Sequence, residues 1–207
     1  MTLPGLPYLV CPAPSACLTI TTSSSVDLVT IHRENPFLEP PGDRDPVRRL
    51  RGRLGGQVTL WTSGTPDDRA GLTVSSLMIA AGEQGRVLGL IDPDSDLMDT
   101  LATTDLAVVS LLHYRHHNLA DVFAGQVPAP GGQFKQLSQG VSWAETSWGP
   151  LLSDVTTWVG VRVESVVETG WSSLVTATIE HAEIGDDGEP LVHRRGRYQH
   201  ASTSSGG

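Results

Sequence analysis

The chain has 207 residues, which fits one domain better than two, and its 14 basic and 23 acidic side chains leave a formal charge of −9. That balance argues against nucleic acid as the main partner, because a phosphate backbone is held by clustered cationic side chains. A hydrophobic fraction of 39% supplies a real core, while no run of about 18 apolar residues marks a membrane-spanning helix. Of the 14 basic residues only Lys135 is lysine, leaving 14 − 1 = 13 arginines, a bias that more often records a GC-rich genome than a function.

Residues 1–43 are rich in Pro, Ser and Thr and read as an irregular amino-terminal arm with one β-like stretch around Leu28–His32. Cys11 and Cys17 are too few for a disulfide framework or a four-ligand zinc site, so they read as free thiols in a reducing compartment. The apolar patch Leu6–Val10 has no basic residue before it and no cleavage site behind it, so a cytoplasmic protein is expected.

From Asp45 to Leu54 the apolar residues Val47, Leu50 and Leu54 recur at helical spacing, and Arg44, Arg48, Arg51 and Arg53 surround them. Those arginines make either a solvated helix face or an anion site. Gln57–Ser63 reads as a strand, Gly64–Arg69 as a turn, and Ala70–Ala80 as a second strand carrying Thr73, Ser75 and Ser76. Arg86–Ile91 is a third strand, Leu97–Thr103 a short helix, and Leu106–Leu112 a buried strand with a continuous apolar run. Arg115–Ala124 reads as a helix capped by Gly125, and Val127–Gly149 as a long loop of the kind that tends to carry function. Val155–Val167, Ser173–Ile184 and Leu191–Tyr198 complete seven strands, with a turn at Gly185–Gly188 and a disordered tail at 200–207. The expected architecture is mainly β, an antiparallel barrel over residues 44–199 with two or three short helices.

No dinucleotide fingerprint, phosphate-binding loop, nucleophile elbow or zinc-protease motif is present. Three constellations remain. Gly71–Ser76 (GLTVSS) puts hydroxyls on a strand, either as exposed filler or as a polar ligand surface. His113–His117 (HYRHH) would gather histidines on a helix, as the solvated first turn or, with no carboxylate companion at a known spacing, as a weak metal candidate. His193–Tyr198 (HRRGRY) is either a basic edge strand that discourages aggregation or an anion-holding segment beside an aromatic ring.

Between Val47 and Tyr198 the order of segments resembles the flavin reductase-like, FMN-binding split-barrel family. The resemblance rests on QVTLWTSGTPDDRAGLTVSS (Gln57–Ser76), RVLGLIDPDS (Arg86–Ser95), LADVFAG (Leu119–Gly125), GVSW (Gly140–Trp143), GPLL (Gly149–Leu152) and GEPLVHRRGRY (Gly188–Tyr198). It implies a split β-barrel of antiparallel, Greek-key type and a homodimer with flavin in a groove at its interface. The cofactor implied is FMN, or FAD in its place, with NAD(P)H as co-substrate. Thr73, Val74, Ser75 and Ser76 would run along the ring and ribityl chain, Ser95 would meet the phosphate, and Phe134 would cover the ring. His193 and Arg194 would touch the nicotinamide nucleotide. No side chain would act as catalytic acid or base, and no metal is called for. Reduced flavin would pass to a monooxygenase or another acceptor. The chain departs from the pattern at the phosphate turn, where Asp92 and Asp94 flank Ser95, at Gly170-Trp171-Ser172 in a hairpin, and at His193-Arg194 before the final Gly-Arg-Tyr. Those departures leave open a non-catalytic flavin-binding protein, or a split barrel that uses a deazaflavin or haem.

Overall fold

Helix α1 (Pro46–Leu54) starts where Asp45 accepts a hydrogen bond from the Val47 N–H (2.9 Å), has proline in its first turn, and stops at Gly55 with φ +64°. The computed structural model describes residues 45–136, 140–186 and 188–200. The amino-terminal arm, with Cys11, Cys17 and the stretch around Leu28–His32, and the tail beyond His200 lie outside the described residues. The periodicity that marks α1 is borne out, yet Val47, Leu50 and Leu54 all stay exposed.

Among the described residues twelve strands follow. They are β1 (Gly56–Gln57), β2 (Thr59–Thr65), β3 (Asp68–Val74), β4 (Leu77–Ala80), β5 (Arg86–Ile91), β6 (Leu106–Leu111), β7 (Trp143–Thr146), β8 (Gly149–Leu152), β9 (Thr157–Thr169), β10 (Ser172–Ile184), β11 (Leu191–Arg194) and β12 (Arg197–His200). Helices α2 (Asp96–Thr104), α3 (His117–Phe123) and the single turn α4 (Gln133–Gln136) lie between them. Seven strands form one antiparallel sheet in the order β3-β2-β6-β9-β10-β5-β4, while β1-β11-β12 and β7-β8 make two smaller sheets.

The barrel follows from that order. Strands β3 and β4 stand at opposite edges of the seven-stranded sheet, yet only Ser75 and Ser76 separate them in the chain. Laid flat, six interstrand steps would hold them about 29 Å apart, whereas the three residue steps from Val74 to Leu77 reach at most about 11 Å. The sheet must curl until its edges meet, and the Leu90 N–H, donating to the Ser76 carbonyl (3.0 Å), carries the β4–β5 pairing up to the crossing. Register shifts at Thr176/Ala177 and Ile179/His181 in the long β9–β10 hairpin supply local bends.

Inside the curl Trp61, Val87, Ile91, Val109, Val161 and Val175 pack with Leu97 and Leu101 of α2. Gly89 makes room for the indole: a Cβ there would lie 2.9 Å from the Trp61 ring. A second core, with Val58, Leu60, Leu112, Phe123, Leu152 and Leu191, seats α3 and the β11–β12 hairpin outside β2 and β3.

Three sequence expectations change. Ala70–Ala80 is two strands, broken at the Ser75–Ser76 crossing. Leu191–Tyr198 is a hairpin, because Arg195 and Gly196 both take positive φ (+54° and +74°) and turn the chain back. The segment 127–149 is not loop throughout: α4, β7 and the first residue of β8 fall within it. Among the described residues no helix is long and apolar enough to cross a membrane.

Candidate active site

Strand β3 organises the candidate site, since among the described residues its outer edge has no strand partner and so presents backbone groups outward. Alternate side chains point to opposite faces. Leu72 and Val74 join the barrel core, while Gly71 and Thr73 meet α3. A Cβ on Gly71 would approach the Phe123 ring to 2.7 Å, so glycine lets α3 lie close. The Thr73 hydroxyl donates to the Ala120 carbonyl (2.8 Å), and the Thr59 hydroxyl donates to the Val74 carbonyl (2.7 Å). Both bonds fix the strand just before the Ser75–Ser76 crossing. Ser75 and Ser76 are half-buried, and no side-chain hydrogen bond ties either hydroxyl among the described residues.

The Ser75 corner leans on Gly56. A Cβ at Gly56 would lie 2.5 Å from the Ser75 carbonyl oxygen, and Gly56 pairs with His193 across the β1–β11 register. His193 thus stands one strand from the corner, edge-on to Tyr198 with ring centroids 5.7 Å apart. Burial and the Arg51 guanidinium hold the His193 imidazole below the ordinary histidine range, with Asp121 opposing them. Burial and the Asp121 carboxylate, to which Tyr198 donates a hydrogen bond, hold the phenol above its ordinary range. Arg194 turns away from the corner, its Nε donating to the Arg53 carbonyl at the end of α1 (3.3 Å).

Ser95 lies in the turn after β5, five residues past Leu90, and heads α2. Its hydroxyl donates to the Asp92 carbonyl (2.7 Å), and the Asp94 N–H donates to the Asp92 carboxylate (3.0 Å), so these donors are spent inside the turn. At the Arg69 end of β3 a cleft of about 420 Å³ is lined by Arg69, Asp96, Phe134 and Lys135, among others. Phe134 belongs to an aromatic group with Phe123 and Trp143, at centroid distances of 5.1 and 4.8 Å, and the Arg69 guanidinium sits 4.7 Å over its ring.

The structure therefore gathers Thr73, Val74, Ser75, Ser76 and His193 at one end of β3. Phe134 stands at the other end, with Asp96, the neighbour of Ser95, across the same cleft. Arg194 joins neither group. Sequence reasoning passed over Arg69, Asp121 and Trp143. Arg69 looked like a turn residue, and nothing in the sequence places it against Phe134, although Asp121 and Trp143 lie inside quoted segments.

The donor set tests whether a flavin fits. Two untied hydroxyls and an open strand edge suit a ring system whose pyrimidine side alternates donors and acceptors. The turn at 92–95 suits a phosphate less well, with its hydroxyl occupied and carboxylates on both sides. The His113–His117 segment is not the solvated helix turn expected: His113 and His116 are buried, and His116 Nε2 lies 3.0 Å from the Asp154 carboxylate. Among the described residues no three metal-binding side chains converge.

Comparison with known proteins agrees with this geometry. The family described as flavin reductase like domain matches residues 51–202. An FMN reductase (NADH) RutF of Ancylobacter novellus is 23% identical over 159 residues, covering 77% of this chain and 86% of its own. The NADH:FAD oxidoreductase SgcE6 of Streptomyces globisporus, solved with NAD and FAD fragments, superposes with a TM-score of 0.69 at 20% identity, over 82% of this chain and 99% of its own. The styrene monooxygenase flavin reductase of Pseudomonas putida S12 superposes with a TM-score of 0.64 at 17% identity, over 74% and 96% respectively. Split-barrel closure at Thr73–Ser76 and a match across some three-quarters of the sequence lead to one conclusion: the chain belongs to the flavin reductase-like domain family.

Proposed function

We propose that the protein is a flavin reductase that takes hydride from NADH, onto FMN or FAD, and releases reduced flavin to a separate acceptor such as a monooxygenase. The observation that carries this reading is the Ser75–Ser76 corner, where untied hydroxyls meet an open strand edge one strand from His193. NADH is the donor named for the RutF relatives, and a two-component oxygenase is the setting named for the styrene monooxygenase reductase.

Flavin, when bound, would supply the two-electron acceptor for a hydride from NADH, with solvent supplying the proton that balances it. The protein supplies binding and orientation. In this reading Ser75, Ser76 and the outer edge of β3 hold the ring, and Thr73, already committed to Ala120, keeps the strand straight. Phe134 and Arg69 close the far end, and Ser95 meets the phosphate once it exchanges its bond to Asp92. A neutral His193 presents an uncharged ring to the nicotinamide side.

The homodimer expected of the family has support in an apolar row on the outer sheet face, where Met78, Leu90 and Val167 are 65%, 40% and 55% exposed. A dimer in light scattering is expected, and a monomer at micromolar concentration overturns it. A cytoplasmic setting follows from dependence on the cellular NADH pool.

Stopped-flow mixing of NADH with the flavin-loaded protein tests the function directly. Hydride transfer faster than the free NADH–flavin reaction is expected for FMN or FAD. Flavin binding with no acceleration overturns the enzyme reading and leaves a flavin carrier.

A further inference from the structure

Eleven arginines lie among the described residues, and they divide sharply by partner. Arg69, Arg86, Arg115 and Arg162 each sit within ion-pair distance of a carboxylate, at 3.8, 2.7, 3.4 and 2.6 Å. The other seven fall on α1 and the β11–β12 hairpin. Of these, Arg49, Arg51, Arg53, Arg194, Arg195 and Arg197 have no carboxylate within 4 Å among the described residues, and all are exposed.

The two runs are 141 positions apart at Arg53 and Arg194, yet the fold joins them. The Arg195 N–H donates to the Gly52 carbonyl (2.8 Å), and Arg194 Nε donates to the Arg53 carbonyl (3.3 Å). Arg195 takes a left-handed backbone conformation at the hairpin tip, with φ +54°. That conformation is unfavourable for a side chain without a local polar group. In a protein of net charge −9, unpaired cations gathered on one face repel one another and favour a multivalent anion.

This face adjoins the proposed flavin corner through two short steps, His193 paired with Gly56 and Gly56 packed on Ser75. On the same hairpin His193 and Tyr198 are half-buried, with ring centroids 5.7 Å apart.

We propose that the α1–β11/β12 arginine platform is a subsite for the diphosphate of an adenine dinucleotide whose redox-active ring reaches the Thr73–Ser76 corner. The inference rests on the flavin-reductase reading for the identity of that ring. Guanidinium groups grip phosphate oxygens in pairs, and the exposed Val47 and Leu50 on the same helix offer adenine an apolar surface. NADH and FAD share this diphosphate chemistry, and the assay separates them.

Calorimetric titration of the full chain with ADP, which carries no redox ring, is the test. ADP is expected to bind, to bind more weakly as salt screens the arginines, and to lose about tenfold or more in affinity in the Arg51→Gln/Arg53→Gln/Arg195→Gln variant. Arg86→Gln, at the start of β5 and already paired with Glu164, is expected to leave ADP affinity unchanged. Absence of ADP binding at low salt, or binding indifferent to salt, overturns the subsite with the unaltered protein alone. Equal affinity in the folded triple variant overturns it as well.

Two further measurements assign the source. A raised KM for NADH with unchanged FMN affinity assigns the platform to NADH, and a raised Kd for FAD relative to riboflavin assigns it to FAD. Neither change overturns the proposal. Riboflavin reduction by the unaltered protein reports on the flavin-reductase reading separately, so ADP binding without reduction would sink that reading and spare the subsite.

Discussion

Gly56→Ala probes the flavin corner without removing any polar group. The new Cβ would start 2.5 Å from the Ser75 carbonyl oxygen, whereas carbon and oxygen need about 3.3 Å. Backbone must therefore part by about 0.8 Å, either at the Ser75 corner or in the β1–β11 pairing with His193. No flexible side chain is available to yield, because the opposing atom is main chain. Overpacking of this kind costs roughly 1–3 kcal/mol, which in a domain of this size lowers the melting temperature by roughly 2–12 °C. A binding constellation tolerates about 0.5 Å of displacement, so flavin affinity should fall about tenfold. Fluorescence quenching of FMN and of riboflavin measures the affinity, and a thermal melt measures the stability. Gly52→Ala is the control: its Cβ would lie 3.8 Å from the Arg195 Cα, an ordinary contact, and alanine should stabilise α1 by about 0.5–1 kcal/mol with flavin affinity unchanged. A Gly56→Ala protein with native melting temperature and native flavin affinity would refute the packing argument.

Thr73→Val keeps shape but removes one of the two hydrogen bonds to the Ala120 carbonyl, which retains the Ala124 N–H, at a cost of about 0.5–1.5 kcal/mol, read as a lower urea midpoint with an unchanged slope. Phe134→Ala removes contacts to Phe123 and Trp143 and should cost about 1–3 kcal/mol; an unaltered melt would show that the aromatic group adds nothing. The Asp154 carboxyl is pushed up by burial, but hydrogen bonds and charge from His116 and Arg115 outweigh this and hold it below the ordinary carboxylate range. Its contribution to stability is complete above the unfolded value and is lost as pH falls through the lowered folded one, so Asp154→Asn should flatten the acid limb of a pH–stability curve. His193, depressed by burial and Arg51, should titrate below an unfolded histidine in an NMR experiment. Asp121→Asn should lower it further, and a rise would contradict the placement of that carboxylate.

Much of the architecture was legible because it rests on local signals. Val47, Leu50 and Leu54 gave the period of α1, and the alternating valines from Val155 marked β9. The strand and turn pattern gave an antiparallel barrel, and resemblance made it a split barrel and singled out Thr73–Ser76. What stayed hidden depends on distant partners. A run such as Ala70–Ala80 has no glycine or proline at the Ser75–Ser76 break, and the sheet closes there. The Leu191–Tyr198 hairpin turns at an arginine in left-handed conformation, against local preference and held by the Gly52 carbonyl from a helix far back in the chain. The arginines of α1 and of the hairpin read as two separate clusters, and only the tertiary bonds between them make one surface. Arg69 over Phe134 brings together residues that no spacing rule connects.

The two-residue crossing at Ser75–Ser76 also bears on how this sequence can vary. It acts as the hem of the barrel: its length sets the circumference, since it ties one sheet edge to the other. An added residue there would slide β4 along β5 by one position and invert every side chain of one strand, sending Met78 toward the core and Leu77 toward solvent. The β4–β5 turn at 81–85, by contrast, joins neighbours and can lengthen at small cost. Insertions among relatives of this chain should therefore collect in such turns and avoid the hem, so that the ligand strand keeps its length while the surface around it drifts.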